Sequence, residues 1–245
     1  MRKLLAYPLT VIHLIVFGLT LVIFHPIQWI CLNIFGYQAH KKSVDALQWC
    51  LVHSLYFLAS RVSFYNPHKI STDKPIIIVS NHQSMHDIPA IMWHMRKHHV
   101  KFVSKKELGK GIPSVSYNLR HGGSILIDRK NPRQALPELM KFGQYIEDTK
   151  RAAVIFPEGT RSRTGEPKKF QPRGMEILFK KVPSGLVVPV TINNSWKLYR
   201  YGKFPMGIGN HITFTVHKPL EIANFNDKKE LMDLVEKTIV DAIKN

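Results

Sequence analysis

A histidine and an aspartate in the segment NHQSMHD have the types and spacing of a general base and its orienting partner. His82 is followed by four residues and then by Asp87. An imidazole can take the proton from a hydroxyl while the oxygen attacks a carbonyl carbon. A carboxylate that accepts the other ring N–H fixes the tautomer and stabilises the imidazolium. The simpler interpretation is that Asp87 caps the following helix and His82 is a loop residue, and the two interpretations are compatible.

A second polar segment, FPEGTRSR at residues 156–163, has the composition of an anion-binding turn. Gly159 permits close approach of the backbone to an anion, and Arg161 can hold two phosphate oxygens at once. Glu158 is a candidate to hydrogen-bond a hydroxyl of the same ligand. The alternative interpretation is a surface turn with solvated charges.

The elements that would position these residues are those of an α/β domain with a mainly parallel or mixed sheet flanked by helices. Short apolar runs predict strands at residues 76–80, 100–104, 124–128, 153–157, 186–192 and 212–217. Helices are predicted at residues 87–97, 132–149, 175–181 and 227–244. In such sheets the reacting groups lie in the loops after the carboxyl ends of the strands. Both polar segments occupy such positions, and two further strand ends carry Lys105 and Arg129.

The first 60 residues predict a helical membrane-attaching element, followed by one catalytic domain over residues 61–245. Residues 4–38 contain no charged side chain, and the run 4–24 is long enough to cross a bilayer core. His25 and Pro26 predict a break, after which residues 27–37 can return to the same leaflet. A signal peptide and a buried core helix are the alternatives. No small-residue cleavage pattern follows Phe24, and so long an uncharged terminus is unusual for a core helix.

The charge balance indicates anionic partners. Lysine and arginine total 35 against 17 acidic residues, which gives a formal net charge of +18. Nucleic acid, anionic lipid headgroups and an acidic carrier protein all fit this charge, but the chain lacks interleaved basic and aromatic arrays, which argues against nucleic acid. Cys31 and Cys50 lie in the apolar region, away from the polar segments. His94 and His98 are four apart without a carboxylate or thiol to complete a ligand set, so no metal is expected.

With these residues in view, the chain resembles the 1-acylglycerol-3-phosphate acyltransferase family of glycerolipid acyltransferases. Four blocks occur in the family's order, NHQSMHD, GGSILIDR, FPEGTR and VVPVTI. The resemblance implies that His82 is the base and that Asp87 orients it. It also implies a set of glycerol-phosphate binders, Glu158, Gly159, Thr160 and Arg161, with phosphate contacts from Lys105 and Arg129.

The activity that the resemblance implies is transfer of a fatty acyl group to the sn-2 hydroxyl of 1-acylglycerol-3-phosphate (lysophosphatidic acid), giving phosphatidic acid for phospholipid biosynthesis. The donor would be a thioester of acyl carrier protein or coenzyme A, with no other cofactor. The expected location is the cytoplasmic face of the inner (plasma) membrane, on an anionic surface. One alternative is the same fold with another acceptor, such as glycerol 3-phosphate, another lysophospholipid or a lyso-ornithine lipid. A more distant alternative is a basic membrane-surface protein without catalysis.

Overall fold

An eight-stranded mixed sheet forms the centre of the computed structural model, which describes residues 2–128 and 131–244. Its strands are β1 Arg61–Tyr65, β2 Ile76–Ser80, β3 Lys101–Lys105, β4 Ile125–Ile127, β5 Ala152–Ile155, β6 Leu186–Asn193, β7 His211–Val216 and β8 Leu220–Glu221. The spatial order is β1-β7-β6-β2-β5-β3-β4, with β8 paired to β6. Strand β6 is antiparallel to β7 and β8, and the other pairs are parallel. The predicted α/β class with a mixed sheet is confirmed.

Strand β2 is central because it is apolar on both faces, as a strand covered by helices on both sides must be. Ile76 and Ile78 point into one buried cluster, while Ile77 and Val79 point into the other. The helices that cover the sheet are α2 Asp87–His94, α3 Val115–His121, α4 Pro132–Thr149, α5 Pro172–Lys181 and α6 Lys228–Asp241. The carboxyl ends of β2 and β5 therefore lie side by side, because the two strands are parallel neighbours.

Most predicted elements are present with shifted ends. The helix predicted over residues 87–97 stops at His94, and residues 96–98 form a separate 3-10 turn because Met95 leaves helical geometry. The helix predicted from Met175 begins at Pro172, since proline is favoured in the first turn, where its missing N–H costs nothing. Three elements were not predicted, β1, β8 and α3. The strand β1 alternates between exposed and half-buried residues, and β8 has two residues, so neither gives an apolar run.

The N-terminal helix α1, Arg2–His53, is continuous through Pro26, so the predicted break at His25 and Pro26 is wrong. Its interruption lies at Gly36, with φ 78° and ψ −171°. Proline keeps a helical φ and gives up one backbone hydrogen bond, whereas these angles at Gly36 are accessible essentially only to glycine. We call residues 2–35 the outer arm and residues 37–53 the inner arm.

The two arms fold back on each other and against the sheet domain. Leu21 of the outer arm packs with Leu47 and Leu51 of the inner arm, and the His13 Nδ1 lies 3.0 Å from the Ser54 carbonyl oxygen. Beyond the inner arm, Leu55 and other residues of the following turn enter the main core. The division into residues 1–60 and 61–245 stays a prediction.

By length and composition, the segment Arg2–Leu58 is the one helix in the described part of the chain that is long and apolar enough to cross a membrane. Only 17% of its most apolar window is buried. A core helix of a soluble protein would be mostly buried, so this exposure favours contact with lipid over the core-helix alternative.

Candidate active site

The predicted base and its partner meet at the carboxyl end of β2. His82 lies in the loop after this strand, and Asp87 is the first residue of α2. The Nδ1 atom of His82 is 2.9 Å from the Asp87 Oδ2. Because the carboxylate accepts a hydrogen bond from Nδ1–H, the neutral ring presents an unprotonated Nε2. The side chain of His82 is 14% exposed and that of Asp87 is fully buried, so only the imidazole can reach a substrate.

The carboxylate of Asp87 accepts several hydrogen bonds from the loop that carries His82. Its Oδ2 also accepts hydrogen bonds from the backbone N–H groups of Gln83 and Ser84, at 2.7 and 2.8 Å. Its Oδ1 accepts the Ser195 hydroxyl at 2.5 Å and the Ser84 hydroxyl at 3.2 Å. These donors precede α2 or come from a distant loop, so the interpretation of Asp87 as a helix N-cap is wrong. His86 occupies the cap position and forms no side-chain capping bond.

Asp87 stays anionic in this buried position. Burial acts to raise the pKa of its carboxyl, but the hydrogen bond and charge of His82, with the bonds from Ser195 and Ser84, outweigh it and leave the pKa below its ordinary value. His86 is different. Burial and the neighbouring His13 lower the pKa of His86 to about 3, against the opposing effect of Asp87. Of the two histidines in the motif, His82 is the one whose ring nitrogen contacts the Asp87 carboxylate.

The FPEGTRSR segment is attached directly to the His82 loop. The buried Glu158 accepts the backbone N–H of His82 at 2.8 Å through Oε1 and that of Lys168 at 3.1 Å through Oε2. The backbone N–H of Ser162 donates to the His82 carbonyl at 2.8 Å. The ring of Phe156 stacks on the imidazole with 4.0 Å between centroids. Glu158 therefore holds the catalytic loop in place, and its predicted contact with a substrate hydroxyl stays a prediction.

The turn that was predicted to bind an anion is present after β5, and its anion binding stays a prediction. Gly159 has φ 69°, in the left-handed region that favours glycine, and its N–H donates to the Phe156 carbonyl at 3.1 Å. Thr160 and Arg161 follow on the exposed side of the turn. They line a cavity of about 230 Å³ whose remaining walls are Gln83, Arg163, Trp196, Tyr199, Gly202 and Lys203. Three cations and no carboxylate line this cavity, so it suits a phosphate.

An apolar cavity of about 230 Å³ is lined in part by Met85, Ile88 and Pro89, which flank Asp87 along the chain. Phe17 and Leu21 of the outer arm also line it. The remaining walls include Leu47, Leu51, Met92, Phe102, Leu108, Ile112, Val115 and Leu119. A cavity whose walls are mainly apolar side chains suits a hydrocarbon chain.

The other two cations predicted to contact the phosphate are Lys105 and Arg129. The Lys105 side chain is 54% exposed and lies 3.4 Å from the Glu107 carboxylate at the carboxyl end of β3. Arg129 lies outside the described residues. Within residues 2–128 and 131–244, no three His, Cys, Asp or Glu side chains form a group that could hold a metal ion. Catalysis without a metal stays a prediction.

Sequence reasoning missed the contributions of Gln83 and Ser195. The Gln83 Oε1 accepts the Ser195 N–H at 2.9 Å, and Ser195 also binds Asp87. The sequence analysis assigned no role to residues after the block VVPVTI, yet Ser195 follows its strand at the same sheet edge as His82. Applying the strand-end rule to that block would have identified it.

Comparison with known proteins finds a matching family model and several relatives. A family model described as acyltransferase matches residues 61–193, which is 133 of the 245 residues. The 1-acyl-sn-glycerol-3-phosphate acyltransferase of Saccharomyces cerevisiae is 30% identical over 178 residues, covering 70% of this chain and 56% of the yeast protein. The Helicobacter pylori protein of the same name is 37% identical over 128 residues, half of each chain. The chain thus spans about half the length of the curated relatives it matches.

The fold also has a solved counterpart. The crystal structure of the 1-acyl-sn-glycerophosphate acyltransferase of Thermotoga maritima superposes with a TM-score of 0.82 over 99% of this chain and 96% of that one, at 24% identity. That likeness supports the fold, including the long apolar N-terminal helix. Since the family model covers more than half of the sequence and contains His82, Asp87 and the FPEGTR turn, this chain belongs to the acyltransferase family.

Proposed function

We propose that this protein transfers a fatty acyl group from a thioester to the sn-2 hydroxyl of 1-acylglycerol-3-phosphate, giving phosphatidic acid. The observation that carries the proposal is that the chain neighbours of the His82–Asp87 pair line two cavities. Gln83 lines the cationic cavity, and Met85 and Ile88 line the apolar one. A lysophosphatidic acid has one phosphate and one hydrocarbon chain, and its reacting hydroxyl lies between them. Two relatives named 1-acyl-sn-glycerol-3-phosphate acyltransferase are 30% identical over 178 residues and 37% identical over 128 residues, which supports this proposal.

His82 acts as the general base in the proposed reaction. Its Nε2 removes the proton of the acceptor hydroxyl while that oxygen attacks the carbonyl carbon of the thioester. The imidazolium that forms is stabilised by the Asp87 carboxylate on Nδ1. When the tetrahedral intermediate collapses, the carbon–sulfur bond breaks and the proton passes from Nε2 to the leaving thiolate.

Transfer is direct in this proposal, without an acyl-enzyme intermediate. In the described part of the chain, the His82 ring makes its side-chain hydrogen bond to Asp87 and not to a hydroxyl or thiol. The two nearby hydroxyls, of Ser84 and Ser195, are buried and hydrogen-bonded to the Asp87 carboxylate. They orient the aspartate and are not aimed at a substrate.

The two cavities divide the acceptor between them. The guanidinium of Arg161, with Arg163 and Lys203 on the same wall, would hold the phosphate and so place the hydroxyl beside His82. The apolar cavity would take the acyl chain of the acceptor. That chain would enter from the bilayer past the outer arm of α1, whose exposed side chains contact lipid. The thioester, carried by acyl carrier protein or coenzyme A, would approach from the cytoplasmic face of the inner membrane.

Arg161→Ala tests the phosphate assignment. We expect kcat/KM for lysophosphatidic acid to fall roughly 30- to 800-fold, because a phosphate loses a bidentate charged partner. This corresponds to a loss of about 2–4 kcal/mol in transition-state binding. The rate with an unphosphorylated 1-acylglycerol should change much less. Lys237→Ala, which removes an exposed cation on α6, is the matched control. If Arg161→Ala keeps the wild-type ratio between the two acceptors, the cationic cavity does not bind the phosphate.

Acceptors related to lysophosphatidic acid are the second candidates. A panel of glycerol 3-phosphate, lysophosphatidylcholine and a lyso-ornithine lipid, each with both thioester donors, separates them. Glycerol 3-phosphate lacks a hydrocarbon chain, so the apolar cavity favours the acylated acceptor over it.

A further inference from the structure

Gln83 connects the catalytic loop to the cationic cavity. It follows His82 directly and lines the cavity together with Arg161, although only 3% of the residue is exposed. Its Oε1 accepts the backbone N–H groups of Ser195 and Trp196, at 2.9 and 3.4 Å. Because both partners are N–H donors, the oxygen of the amide must face them. These two bonds therefore fix the orientation of the Gln83 side chain.

The Nε2 group of the same amide is left for a ligand. The hydrogen bonds that Gln83 makes within residues 2–128 and 131–244 use its backbone N–H and its Oε1. The Nε2 atom is not sealed off from solvent, whereas both amide atoms of Gln28 are. Since the oxygen side of the amide is occupied by backbone, the two N–H donors of Nε2 open onto the cavity that Gln83 lines.

Tyr199 presents a second neutral donor to this cavity. The residue lines the cavity beside Arg161, and its ring centroid lies 6.3 Å from that of His86. In the described part of the chain, its hydroxyl makes no hydrogen bond. Burial raises the pKa of Tyr199 to about 12, while the Arg161 charge opposes this shift and the Asp87 charge adds to it. The phenol therefore keeps its proton at neutral pH and can donate it to an anion.

The cavity has room for a phosphate group, and none of the described residues on its walls is a carboxylate. It has a volume of about 230 Å³, and its charged walls are Arg161, Arg163 and Lys203. The Asp87 charge reaches Tyr199, but the Asp87 oxygens already accept five hydrogen bonds. An anion that enters the cavity would therefore supply the acceptor that these donors lack.

We propose that the Gln83 Nε2 and the Tyr199 hydroxyl donate hydrogen bonds to the phosphate group of the acceptor. This inference rests on the proposed function and adds two neutral donors to the cations of the cavity. A phosphate monoester has three terminal oxygens, so it can accept from both kinds of donor. A lysine follows a displaced phosphate because its side chain is flexible, whereas the Gln83 amide is held by backbone. Gln83 thus sets the phosphate position relative to His82, the next residue along the chain.

Tyr199→Phe tests the proposal by binding. The ligands are 1-octanoylglycerol 3-phosphate and 1-octanoylglycerol, titrated by calorimetry into the full chain in dodecylmaltoside micelles without a thioester. The variant lacks only a hydroxyl, so we expect affinity for the phosphorylated ligand to fall at least about fivefold and affinity for the other to change less than about twofold. Tyr65→Phe, which changes an exposed ring on β1, is the matched control and should bind like wild type.

Two results of this titration would overturn the role of Tyr199. One is wild-type affinity of Tyr199→Phe for 1-octanoylglycerol 3-phosphate. The other is an equal loss for both ligands, which would show a structural effect on the cavity and not a bond to phosphate.

Gln83→Glu separates phosphate binding by the amide from its contact with backbone. The glutamate keeps an oxygen for the N–H groups of Ser195 and Trp196, so we expect an unchanged Tm. The oxygen that replaces Nε2 repels phosphate, and affinity for 1-octanoylglycerol 3-phosphate should fall at least about tenfold while that for 1-octanoylglycerol stays the same. Gln144→Glu adds the same charge at an exposed position of α4 and should bind like wild type. Wild-type binding of both ligands by Gln83→Glu, or a lower Tm with equal losses for both, overturns the role of Gln83.

The phosphate site and the proposed reaction fail separately in these experiments, because the titrations contain no acyl donor. Wild-type protein that shows the expected binding pattern but forms no phosphatidic acid would contradict the proposed function and support the site. Phosphatidic acid formed by Tyr199→Phe and Gln83→Glu with the wild-type kcat/KM would contradict the site and support the function.

Discussion

At the scale of single residues, Asp87 shows how one buried carboxylate combines architecture with chemistry. Its two oxygens accept donors from His82, Gln83, Ser84 and Ser195. Four of the five bonds come from residues 82–84, so the carboxylate determines the shape of the loop that carries the base. The charge of the same carboxylate also stabilises the imidazolium that forms when His82 takes a proton.

Asp87→Asn separates these two contributions. The asparagine carbonyl can accept the three donors of Oδ2, and its amide can donate to the Ser84 and Ser195 hydroxyls, so we expect a free energy of unfolding within about 1–2 kcal/mol of wild type. The imidazolium loses its counter-charge, and kcat should fall by about 10²- to 10⁴-fold. Chemical denaturation and a steady-state assay of the same protein check both results. Unchanged kcat would show that the aspartate charge does not support catalysis.

The acid dependence of stability provides a further check on this variant. The folded-state pKa of Asp87 is lowered, so its stabilisation is complete above the ordinary aspartate value of about 3.9 and is lost as the pH falls through the lowered value. The difference in unfolding free energy between wild type and Asp87→Asn should be constant above about pH 5 and change in favour of the variant below about pH 4. A difference that is independent of pH down to pH 2 would contradict the lowered pKa.

At the scale of elements, the bend in α1 depends on one glycine. Gly36 has φ 78° and ψ −171°, and a Cβ placed there would meet no atom within 4 Å. The cost of Gly36→Ala is therefore conformational, and we expect a loss of about 1–3 kcal/mol in the free energy of unfolding. Gly18→Ala is the matched control, because Gly18 is helical, equally open and expected to gain up to about 1 kcal/mol. Denaturation in detergent compares them. Equal effects of the two substitutions would rule out strain at the bend.

The outer arm also forms a wall of the apolar cavity, so its residues should affect which acyl-chain length of the acceptor is preferred. Leu21 is 8% exposed and lines the cavity, whereas Leu19, two residues earlier, is 54% exposed. Leu21→Trp should shift the preferred acyl chain to shorter lengths, because the larger ring occupies space that the chain would fill. Leu19→Trp should leave the preference unchanged. Competition assays with a mixture of acceptors of different acyl-chain lengths measure the shift. An unaltered chain-length profile for Leu21→Trp would show that the acyl chain binds elsewhere.

At the scale of the whole molecule, the sheet domain and the N-terminal helix were largely predictable, and the position of the bend in that helix was not. Apolar runs located the buried strands because β2 and its neighbours have no exposed face. The edge strand β1 lacks such a run and depends on its pairing with β7, a contact between residues about 150 positions apart. The bend in α1 was placed at Pro26 because proline is the stronger local signal. Packing of the two arms selects Gly36 instead.

The site was predictable where each polar residue follows a strand directly. His82, Asp87, Thr160 and Arg161 come together for that reason. The loop-anchoring contacts of Glu158 and the contribution of Ser195 depend on which strands are neighbours, since β6 and β5 flank β2. Strand order is a property of tertiary structure, and local periodicity does not report it.

The central claim, that His82 is the base of an acyl transfer, is tested most directly by product formation. The purified full chain, an acyl thioester and lysophosphatidic acid are mixed, and phosphatidic acid is quantified over time. We expect His82→Ala to lower kcat by about 10³- to 10⁴-fold with an unchanged Tm. His211→Ala, at an exposed position on the edge-adjacent strand β7, should behave like wild type. Phosphatidic acid formed by a folded His82→Ala protein at a rate near that of wild type would contradict the account.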